Sequence, residues 1–337
     1  MVECVFRINF AGPLVTVQDG GRFGHMRFGV SASGPMDRLA AAAANAVLGN
    51  THGAPLIEVS MGGLALECIS GEITLAVAGG EFLVERSDGK LACWSVFKVE
   101  AGDKLTIRPA GLGSWTYLAF AGHLQAQEWL GSVATHSISG FGGGQLASGQ
   151  ELRLSDAHVA EDRHGTFARP DFAAHSDTIR VVLGPQDRYF TAETREIFKT
   201  ASYRLSSAFD RMGVRLVGPD LPLNGALSIP SEPVARGSIQ VSGDGVPTVL
   251  LADHQTTGGY PKIATVVSVD LDRLCQSRAG DTLRFTPVSP AEAVALVRAV
   301  VQKRQAYLEE IAIPKGTLAQ RLMRENLISG ALDDDGQ

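Results

Sequence analysis

AGDKLTIRP, at residues 101–109, recurs as AGDTLRFTP at residues 279–287, with Ala, Gly, Asp, Leu and Pro at the same positions. Both copies have the pattern of a tight turn followed by a β-strand, because Gly and Asp favour turns and the apolar residues that follow favour a strand. Recurrence of one structural unit indicates a duplicated domain. The sequence therefore predicts two similar β-rich domains of about a hundred residues each.

Other short segments rich in Val, Ile, Leu and Thr have the same character, and 38 glycines and 15 prolines interrupt the chain. The clearest are EITLAVAG (72–79), TIRVVLG (178–184) and PTVLLA (247–252). These features predict a mainly β fold with a few helices, built as barrels or sandwiches. The expected divisions are a first domain at 1–110, a loop-rich connecting region packed on the domains at 111–177, a second domain at 178–288, and a C-terminal helix and tail at 289–337.

Three helices are expected within this β pattern. The first follows PMDRLAAAAANAVLGN, with Ser33 as its cap, Pro35 in its first turn and Gly49 at its end. The second lies near 187–199. The third begins at SPAE, where Ser289 and Glu292 form a capping box.

The composition is that of an ordinary globular protein, with 45% hydrophobic and 20% charged residues. A net charge of −6 with scattered lysines and arginines makes nucleic acid a poor candidate partner. No secretory leader or membrane-spanning run is visible, so a cytoplasmic location is expected. The four cysteines are far apart and lack metal-ligand spacing, which predicts free, mostly buried thiols and no metal site.

Several common catalytic motifs are missing from the sequence. It contains no G-x-x-x-x-G-K-[ST], G-x-G-x-x-G, G-x-S-x-G or H-E-x-x-H. A bound nucleotide is therefore not held by a P-loop of this chain. The sequence also lacks an A-M-K-M-like segment, so covalent biotin on this chain is not expected.

The glycine-rich stretch GPLVTVQDGGRFGHMRFGVSASGPMD (12–37) leads into the first helix. Backbone N–H groups beside a helix N-terminus suit an anionic oxygen, with Asp19 and Arg22 as candidate substrate-binding residues. The alternative is that Asp19 and Arg22 pair with each other and that the glycines only form turns. Asp37 is a candidate catalytic acid, or a charge that compensates the helix dipole.

The segment LLADHQTTGGYPKIATV (250–266) ends an apolar strand in a dense polar run. His254 is a candidate general acid or base because its ordinary pKa lies near ~6.5. Tyr260 and Lys262 are expected to stabilise developing negative charge. Hydrogen bonds from Gln255, Thr256 and Thr257 are expected to orient an amide or carboxylate. Gly258 and Gly259 are expected to let the substrate approach the backbone closely.

Two further segments carry weaker predictions. In RLSSAFDRMGVRLVGP (204–219), Arg211 is a candidate for bidentate contact with a carboxylate or phosphate, and the alternative is a surface pair between Asp210 and Arg215. GFGGGQ (140–145) has the composition of an anion-binding loop, although glycine runs also form ordinary turns.

Six motifs, in order from about residue 8 to residue 287, resemble one known family. The family is the 5-oxoprolinase C subunit, also called allophanate hydrolase subunit 2, Kip antagonist, or biotin-dependent carboxyltransferase-like protein. The motifs are TVQDGGRFG, SGPMD, AN followed by LGN, GPQDRYF, DRMGVRL and DHQTTGGYPKIATV.

The resemblance implies two cyclophilin-like β-barrel domains and a heteromer with a companion chain, the B subunit, which is allophanate hydrolase subunit 1-like or Kip inhibitor-like. It implies that these chains, together with an A subunit of the LamB/YcsF type, open 5-oxoproline to glutamate at the expense of ATP. One alternative is the carboxyltransferase subunit of a biotin-dependent urea or amide carboxylase. Another is a regulatory module that antagonises a kinase inhibitor.

Chemistry and motif position together give one expectation for the site. Its side chains should converge on a cleft that takes a small amide or lactam and is shared with the B subunit. The residues expected to converge are Asp19, Arg22, Asp37, Arg211, His254, Gln255, Tyr260 and Lys262.

Overall fold

The computed structural model describes residues 3–225, 228–316 and 320. Strands account for 36% and helices for 20% of the structure, which confirms the mainly β fold with a few helices. The helices are α1 (Arg38–Leu48), α2 (Ala192–Thr200), α3 (Leu271–Cys275) and α4 (Pro290–Ala312). No helix in the described ranges has both the length and the apolar character needed to cross a membrane.

The first half of the chain forms two antiparallel sheets. The seven-stranded sheet has the order β11-β12-β1-β4-β9-β6-β7, and the six-stranded sheet has the order β13-β8-β5-β10-β3-β2. The sheets share a core in which the rings of Phe6 and Phe120 lie 5.9 Å apart. The strands are β1 (Cys4–Ala11), β2 (Thr16–Gln18), β3 (Leu56–Ser60), β4 (Leu64–Ser70), β5 (Glu72–Gly79), β6 (Phe82–Arg86), β7 (Gly89–Ala92), β8 (Ser95–Glu100), β9 (Lys104–Pro109), β10 (Trp115–Phe120), β11 (His123–Leu124), β12 (Glu151–Ser155) and β13 (Gly165–Thr166).

The second half forms a closed seven-stranded barrel in the order β14-β21-β18-β19-β16-β15-β22, closed by parallel pairing of β22 with β14. A two-stranded ribbon of β17 and β20 accompanies it. The strands are β14 (Thr178–Leu183), β15 (Ser202–Phe209), β16 (Gly213–Val217), β17 (Glu232–Pro233), β18 (Ser238–Val241), β19 (Pro247–Leu250), β20 (Thr257–Gly258), β21 (Lys262–Val266) and β22 (Thr282–Pro287).

The two copies of the AGD repeat have the same local structure. Gly102 and Gly280 have φ angles of 97° and 96°, which an L side chain rarely adopts. Each glycine N–H donates to a neighbouring strand, that of Gly102 to the carbonyl of Cys68 and that of Gly280 to the carbonyl of Leu205, both at 2.8 Å. The sequence repeat therefore corresponds to a repeated turn-and-strand unit, with one copy in each half.

Residues 111–177 contain more than connecting loops. β10 lies inside the six-stranded sheet, between β5 and β3, and β12 pairs with β1. All six residues of β10 are buried, so the strand belongs to the first-half core although glycines precede it. The four domain ranges remain a prediction, but these pairings extend the first half well beyond residue 110.

The helix signals have mixed outcomes. Ser33 does not cap α1: the carboxylate of Asp37 accepts from the Ala40 N–H at 2.9 Å, so the helix starts later than expected. The capping box of Ser289 and Glu292 at α4 is confirmed. The predicted tail after residue 320 lies outside the described residues.

Candidate functional site

The Arg211 side chain lies at the junction of the two halves and is fully buried. Its Nε donates to Oδ2 of Asp253 at 2.8 Å, and its Nη2 donates to Oδ1 of Asp253 at 3.1 Å and to the carbonyl of Gly34 at 2.8 Å. Its Nη1 forms an ion pair with Glu58, which belongs to the first half. Two carboxylates thus balance one buried guanidinium across the junction.

This junction network continues to the start of α1. The hydroxyl of Tyr117 donates to Oε2 of Glu58 at 2.8 Å and accepts from the N–H of Asp37 at 2.7 Å. The Asp37 side chain joins the network through Oδ2, which accepts from Nε2 of Gln276 at 2.8 Å. Gln276 belongs to the second half, so side chains from both halves satisfy one another here.

Burial and charge shift the pKa values of this network in opposite directions. Burial raises the pKa of Asp253, but the charge and hydrogen bonds of Arg211 outweigh burial and lower it to about 2. Burial, together with the nearby charge of Asp272, raises the pKa of Asp37 to about 6. Burial and the charge of Glu58 raise the pKa of Tyr117 well above its ordinary value, so its hydroxyl remains protonated.

Asp19 and Arg22 do not pair with each other as the alternative expected; both bind the loop at 129–135. The Asp19 carboxylate accepts from the Ser132 hydroxyl at 2.7 Å and from the Val133 N–H at 2.8 Å. Arg22 donates to the carbonyls of Trp129 and Ala134, each at 2.7 Å, and its guanidinium carbon lies 4.4 Å from the centroid of the Trp129 ring. These contacts engage the Asp19 carboxylate and Nε and Nη2 of Arg22, which favours a structural role, although Nη1 of Arg22 has no partner among the described residues.

The DHQTTGGYPK segment forms part of the two-stranded ribbon next to the barrel. Within the ribbon, Glu232 pairs with Gly258 and Pro233 with Thr257. A Cβ on Gly258 would lie 2.4 Å from Nε2 of Gln240, so glycine permits this close approach. Gly258 thus allows close packing against Gln240, and its role in admitting a substrate to the backbone stays a prediction.

His254 is buried, with 4% of its surface exposed, and it is not among the residues that line the groove described below. Its Nδ1 lies 2.6 Å from the carbonyl oxygen of Gln255. Because a carbonyl only accepts, Nδ1 carries the proton and Nε2 keeps a free lone pair. Burial lowers the pKa of His254, which favours the neutral ring near pH 7.

Lys262 lies beneath the ribbon with 3% of its side chain exposed. Its Nζ is 3.9 Å from Oε2 of Glu232 and has no hydrogen-bond partner among the described residues. Gln186 joins this group, because its Nε2 donates to Glu232 and its Oε1 accepts from the Lys262 N–H at 3.0 Å. Burial lowers the pKa of Lys262.

An open groove of about 730 Å³ lies on the barrel beside the ribbon. Nε2 of Gln255 donates to Oε1 of Gln240 at 2.9 Å at this groove, and Tyr260 is 46% exposed. Its polar lining includes Asp210, Arg215, Gln240, Asp244, Gln255 and Tyr260. Arg215 pairs with Asp244 at 3.3 Å and Asp210 accepts from backbone N–H groups, so the expected pair of Asp210 with Arg215 is wrong.

The eight side chains expected to converge are divided among several places. Gln255 and Tyr260 line the groove, whereas Asp37 borders a cavity of about 140 Å³ and Asp19 borders one of about 280 Å³. The N–H of Ser137 donates to Asp253 at 3.1 Å, which connects the loop that follows residues 129–135 to the junction network. One shared cleft stays a prediction about the assembly with a companion chain.

Sequence reasoning missed several residues of these groups. Glu58 has a visible signal, because it is a charge in the otherwise apolar strand LIEVS and is fully buried. Asp253 and Gln186 lie inside two of the family motifs, but their sequence context indicates no role. The remaining missed members are Tyr117, Glu232, Gln240 and Gln276.

The glycine loop at 140–145 does not form an open anion site. A Cβ on Gly142 would lie 2.3 Å from the carbonyl oxygen of Ala134, and one on Gly143 would lie 2.6 Å from Cβ of Val17. These glycines therefore allow close packing of the loop. Within the described part of the chain, no group of three or more His, Cys, Asp or Glu residues is placed to hold a metal ion.

Comparisons with known proteins agree with this architecture. Residues 28–287 match the family model "Carboxyltransferase domain, subdomain A and B". The chain is 36% identical over 299 residues to the 5-oxoprolinase C subunit of Haemophilus influenzae, covering 88% of this chain and 94% of that protein.

Two crystal structures are also similar. TTHA0988 matches with a TM-score of 0.76 and 34% identity, over 84% of this chain and 55% of that one. The urea amidolyase of K. lactis matches with a TM-score of 0.81 and 27% identity, over 91% of this chain and 20% of that one. This chain thus spans about half of the first protein and a fifth of the second.

Proposed function

Because the chain belongs to the family of the carboxyltransferase domain, subdomain A and B, we propose that it is the C subunit of an ATP-dependent 5-oxoprolinase. The observation that carries the proposal is the extent of the match to the Haemophilus influenzae protein, which includes 94% of that polypeptide. The urea amidolyase contains the same module as only a fifth of a much longer chain. The identity to the Haemophilus influenzae protein, 36%, is also higher than the 27% identity to the urea amidolyase.

The chemical demand of this reaction is activation of a lactam carbonyl, which is a poor electrophile. Neutral His254 offers Nε2 as a general base for the attacking water. The exposed Tyr260 hydroxyl is suited to donate a hydrogen bond to the carbonyl oxygen as negative charge develops. Water adds to the carbonyl carbon as Nε2 of His254 takes its proton. That proton then passes to the ring nitrogen as the carbon–nitrogen bond breaks, which gives the amine and carboxylate of glutamate.

Three other candidate residues are better explained as positioning residues. Arg211 has no exposed surface, and protein groups accept from its Nε, Nη1 and Nη2. Both oxygens of Asp37 are engaged, one by the N–H of Ala40 and the other by Gln276. Arg22 donates to loop carbonyls. We therefore assign these three to holding the halves and loops in register.

ATP is assigned to the companion chains. This sequence lacks a P-loop, and its glycine loop at 140–145 is packed against Ala134 and Val17. Arg211 and Arg22 are committed to internal contacts, so neither fits a triphosphate. The proposed companions are the B subunit, which forms a heteromer with this chain, and an A subunit of the LamB/YcsF type.

Reconstitution tests this proposal. Glutamate release from 5-oxoproline is measured with ATP and both companions, with and without this chain. Turnover that requires the chain supports the proposal. Equal turnover in its absence contradicts it.

A second candidate function is carboxyl transfer to urea or another small amide, served by biotin on a separate protein. The similarity to K. lactis urea amidolyase, at a TM-score of 0.81, favours it. Transfer of labelled carboxyl from carboxybiotin to urea, with no glutamate release from 5-oxoproline, would select this function over the first.

A further inference from the structure

The Lys262 ammonium is buried and receives no hydrogen-bond acceptor from the described part of the chain. Its side chain is 3% exposed, and Nζ has no hydrogen-bond partner among the described residues. Lys98, whose side chain is more exposed, has two anionic partners instead: its ammonium contacts Glu72 at 2.8 Å and Glu100 at 2.9 Å. Burying an ammonium is costly unless an anion or acceptors compensate it, so the position calls for a ligand.

The nearest anion, Glu232, is only partly used by Lys262. Oε2 of Glu232 lies 3.9 Å from Nζ, beyond hydrogen-bond distance, and it accepts from Gln186 instead. Glu232 is 46% exposed, so its carboxylate can accept a further hydrogen bond from a ligand. An ammonium donor beneath the ribbon and a carboxylate acceptor on the ribbon are therefore neighbours.

Two neighbours of this pair line the groove. Gln240 pairs with Lys262 across β18 and β21, and its side chain lines the groove. Tyr260, two residues before Lys262, is also exposed there. On the ribbon side, Gly258 pairs with Glu232 and approaches Gln240 so closely that a Cβ would lie 2.4 Å from its Nε2.

We propose that Lys262 and Glu232 together recognise a small ligand whose carboxylate lies next to an N–H donor. The carboxylate binds the Lys262 ammonium and the N–H donates to Glu232. 5-Oxoproline has this arrangement, with its carboxylate on the carbon that adjoins the ring nitrogen; that choice of ligand rests on the proposed function. Lys262 is then the residue that selects for a carboxylate, and Glu232 the one that selects for a lactam over a lactone.

The charge at this site favours a monoanion over a phosphate. Lys262 and Glu232 sum to zero charge, and the neighbouring Gln186 and Gln240 are neutral. A phosphate dianion would meet the Glu232 carboxylate at close range, and like charges in such a site repel. A single carboxylate instead completes the unused donors of Lys262.

Calorimetric binding to the reconstituted assembly tests this proposal, with 5-oxoproline, 2-pyrrolidinone and the lactone 5-oxotetrahydrofuran-2-carboxylate as probes. The natural assembly should bind 5-oxoproline at least about tenfold more tightly than 2-pyrrolidinone, because a charged hydrogen bond is lost without the carboxylate. Lys262→Met should abolish that preference, while Lys262→Arg should retain part of it. Glu232→Gln should weaken the preference for 5-oxoproline over the lactone.

The control variant is Lys303→Met, at an exposed position of α4, which should bind all three probes like the natural protein. Thermal unfolding distinguishes ligand binding from a structural ion pair. Removal of an uncompensated buried charge should leave the Tm of Lys262→Met unchanged or higher, whereas loss of a structural pair would lower it. Carboxylate preference that survives in Lys262→Met, or no binding of any probe by the natural assembly, would overturn the proposal.

Turnover on the same samples separates this inference from the proposed function. If the natural assembly releases no glutamate but its carboxylate preference depends on Lys262, the function is wrong and the inference stands. If turnover requires this chain but Lys262→Met leaves KM for 5-oxoproline unchanged, the inference is wrong and the function stands.

Discussion

Replacement of Arg211 by Met should cost far more stability than the same change at Arg215, although both residues lie in one barrel. Arg211 is fully buried between the carboxylates of Asp253 and Glu58. Met has similar length but no charge, so the variant leaves two buried carboxylates with no cation between them. Arg215 is 51% exposed and contacts Asp244 at 3.3 Å, in solvent.

The magnitudes follow from this difference in burial. Removing one partner of a buried ion pair costs about 3–5 kcal/mol, since the other charge stays uncompensated. An exposed pair contributes about 0–1 kcal/mol because water screens it. We therefore expect Arg211→Met to lower the free energy of unfolding by about 3–5 kcal/mol, and Arg215→Met by less than about 1 kcal/mol.

Urea unfolding, followed by circular dichroism at pH 7, measures both variants against the natural protein. The same titration at lower pH adds an independent check through Asp253, whose pKa falls from an ordinary 3.8 to about 2 on folding. A depressed carboxyl pKa contributes stability that is present above pH 4 and is lost as the pH falls towards 2, by about 2 kcal/mol in all. Equal losses in the two variants at pH 7 would refute the assignment of Arg211 as the charge that holds the halves together.

Three further outcomes test other parts of the structure. Burial raises the pKa of Asp37 to about 6, so the stability that its protonated form contributes is lost as the pH rises from about 4 to about 6. Between pH 4 and pH 7, the free energy of unfolding of Asp37→Asn should therefore rise by up to about 3 kcal/mol relative to that of the natural protein. His254→Gln should reduce the rate of glutamate release by about 10²–10⁴-fold. Because burial lowers the pKa of His254, the acid limb of the pH–rate profile of the natural protein should lie below pH 6.5, and a limb above pH 7 would contradict this role. Gly142→Ala should lower the free energy of unfolding in urea by about 2 kcal/mol or more, because φ is 99° and a Cβ would meet the Ala134 carbonyl. The control Gly144→Ala, with φ of 87° and open space around it, should lower it by about 1 kcal/mol, and equal losses would contradict the packing role of Gly142.

Local patterns predicted the strands and one helix start with good accuracy. EITLAVAG and KLTIRP correspond to β5 and β9 at both ends, and the Ser289 capping box starts α4. In each case the decisive interaction is local: a run of strand-forming residues, or a hydroxyl that accepts an N–H three residues on. Such interactions are visible in the sequence because both partners are printed next to each other.

The start of α1 shows where local patterns are ambiguous. Ser33 and Asp37 are both good N-cap residues, and Pro35 between them suits a first helical turn. The structure selects Asp37, because Gln276 and Tyr117 fix its carboxylate and its N–H from outside the helix. A contact 239 residues away in sequence thus decides the local cap.

The candidate site shows the same limit on a larger scale. His254 and Lys262 were identifiable because their motif concentrates proton-transferring side chains after an apolar strand. Their environments were not, since Glu232 and Gln186 approach Lys262 from 30 and 76 residues away. The pKa of a side chain depends on such neighbours, so its chemical role follows only from the three-dimensional fold.

Burial of charge is the property that separates the binding candidates from the positioning residues. Arg211, Arg22 and Lys262 all look alike in the sequence, as cations beside glycines, and all three are buried. Carboxylates pair with Arg211, and carbonyls accept from Nε and Nη2 of Arg22 while its Nη1 has no partner among the described residues. The Glu232 carboxylate lies 3.9 Å from Nζ of Lys262, too far for a hydrogen bond. Breaking a buried ion pair such as Arg211 with Asp253 is costly, because it leaves the other charge uncompensated. An ammonium without a hydrogen bond keeps donors that an anion can use. Under the proposal made above, an incoming carboxylate would supply the acceptor that the Lys262 ammonium lacks among the described residues.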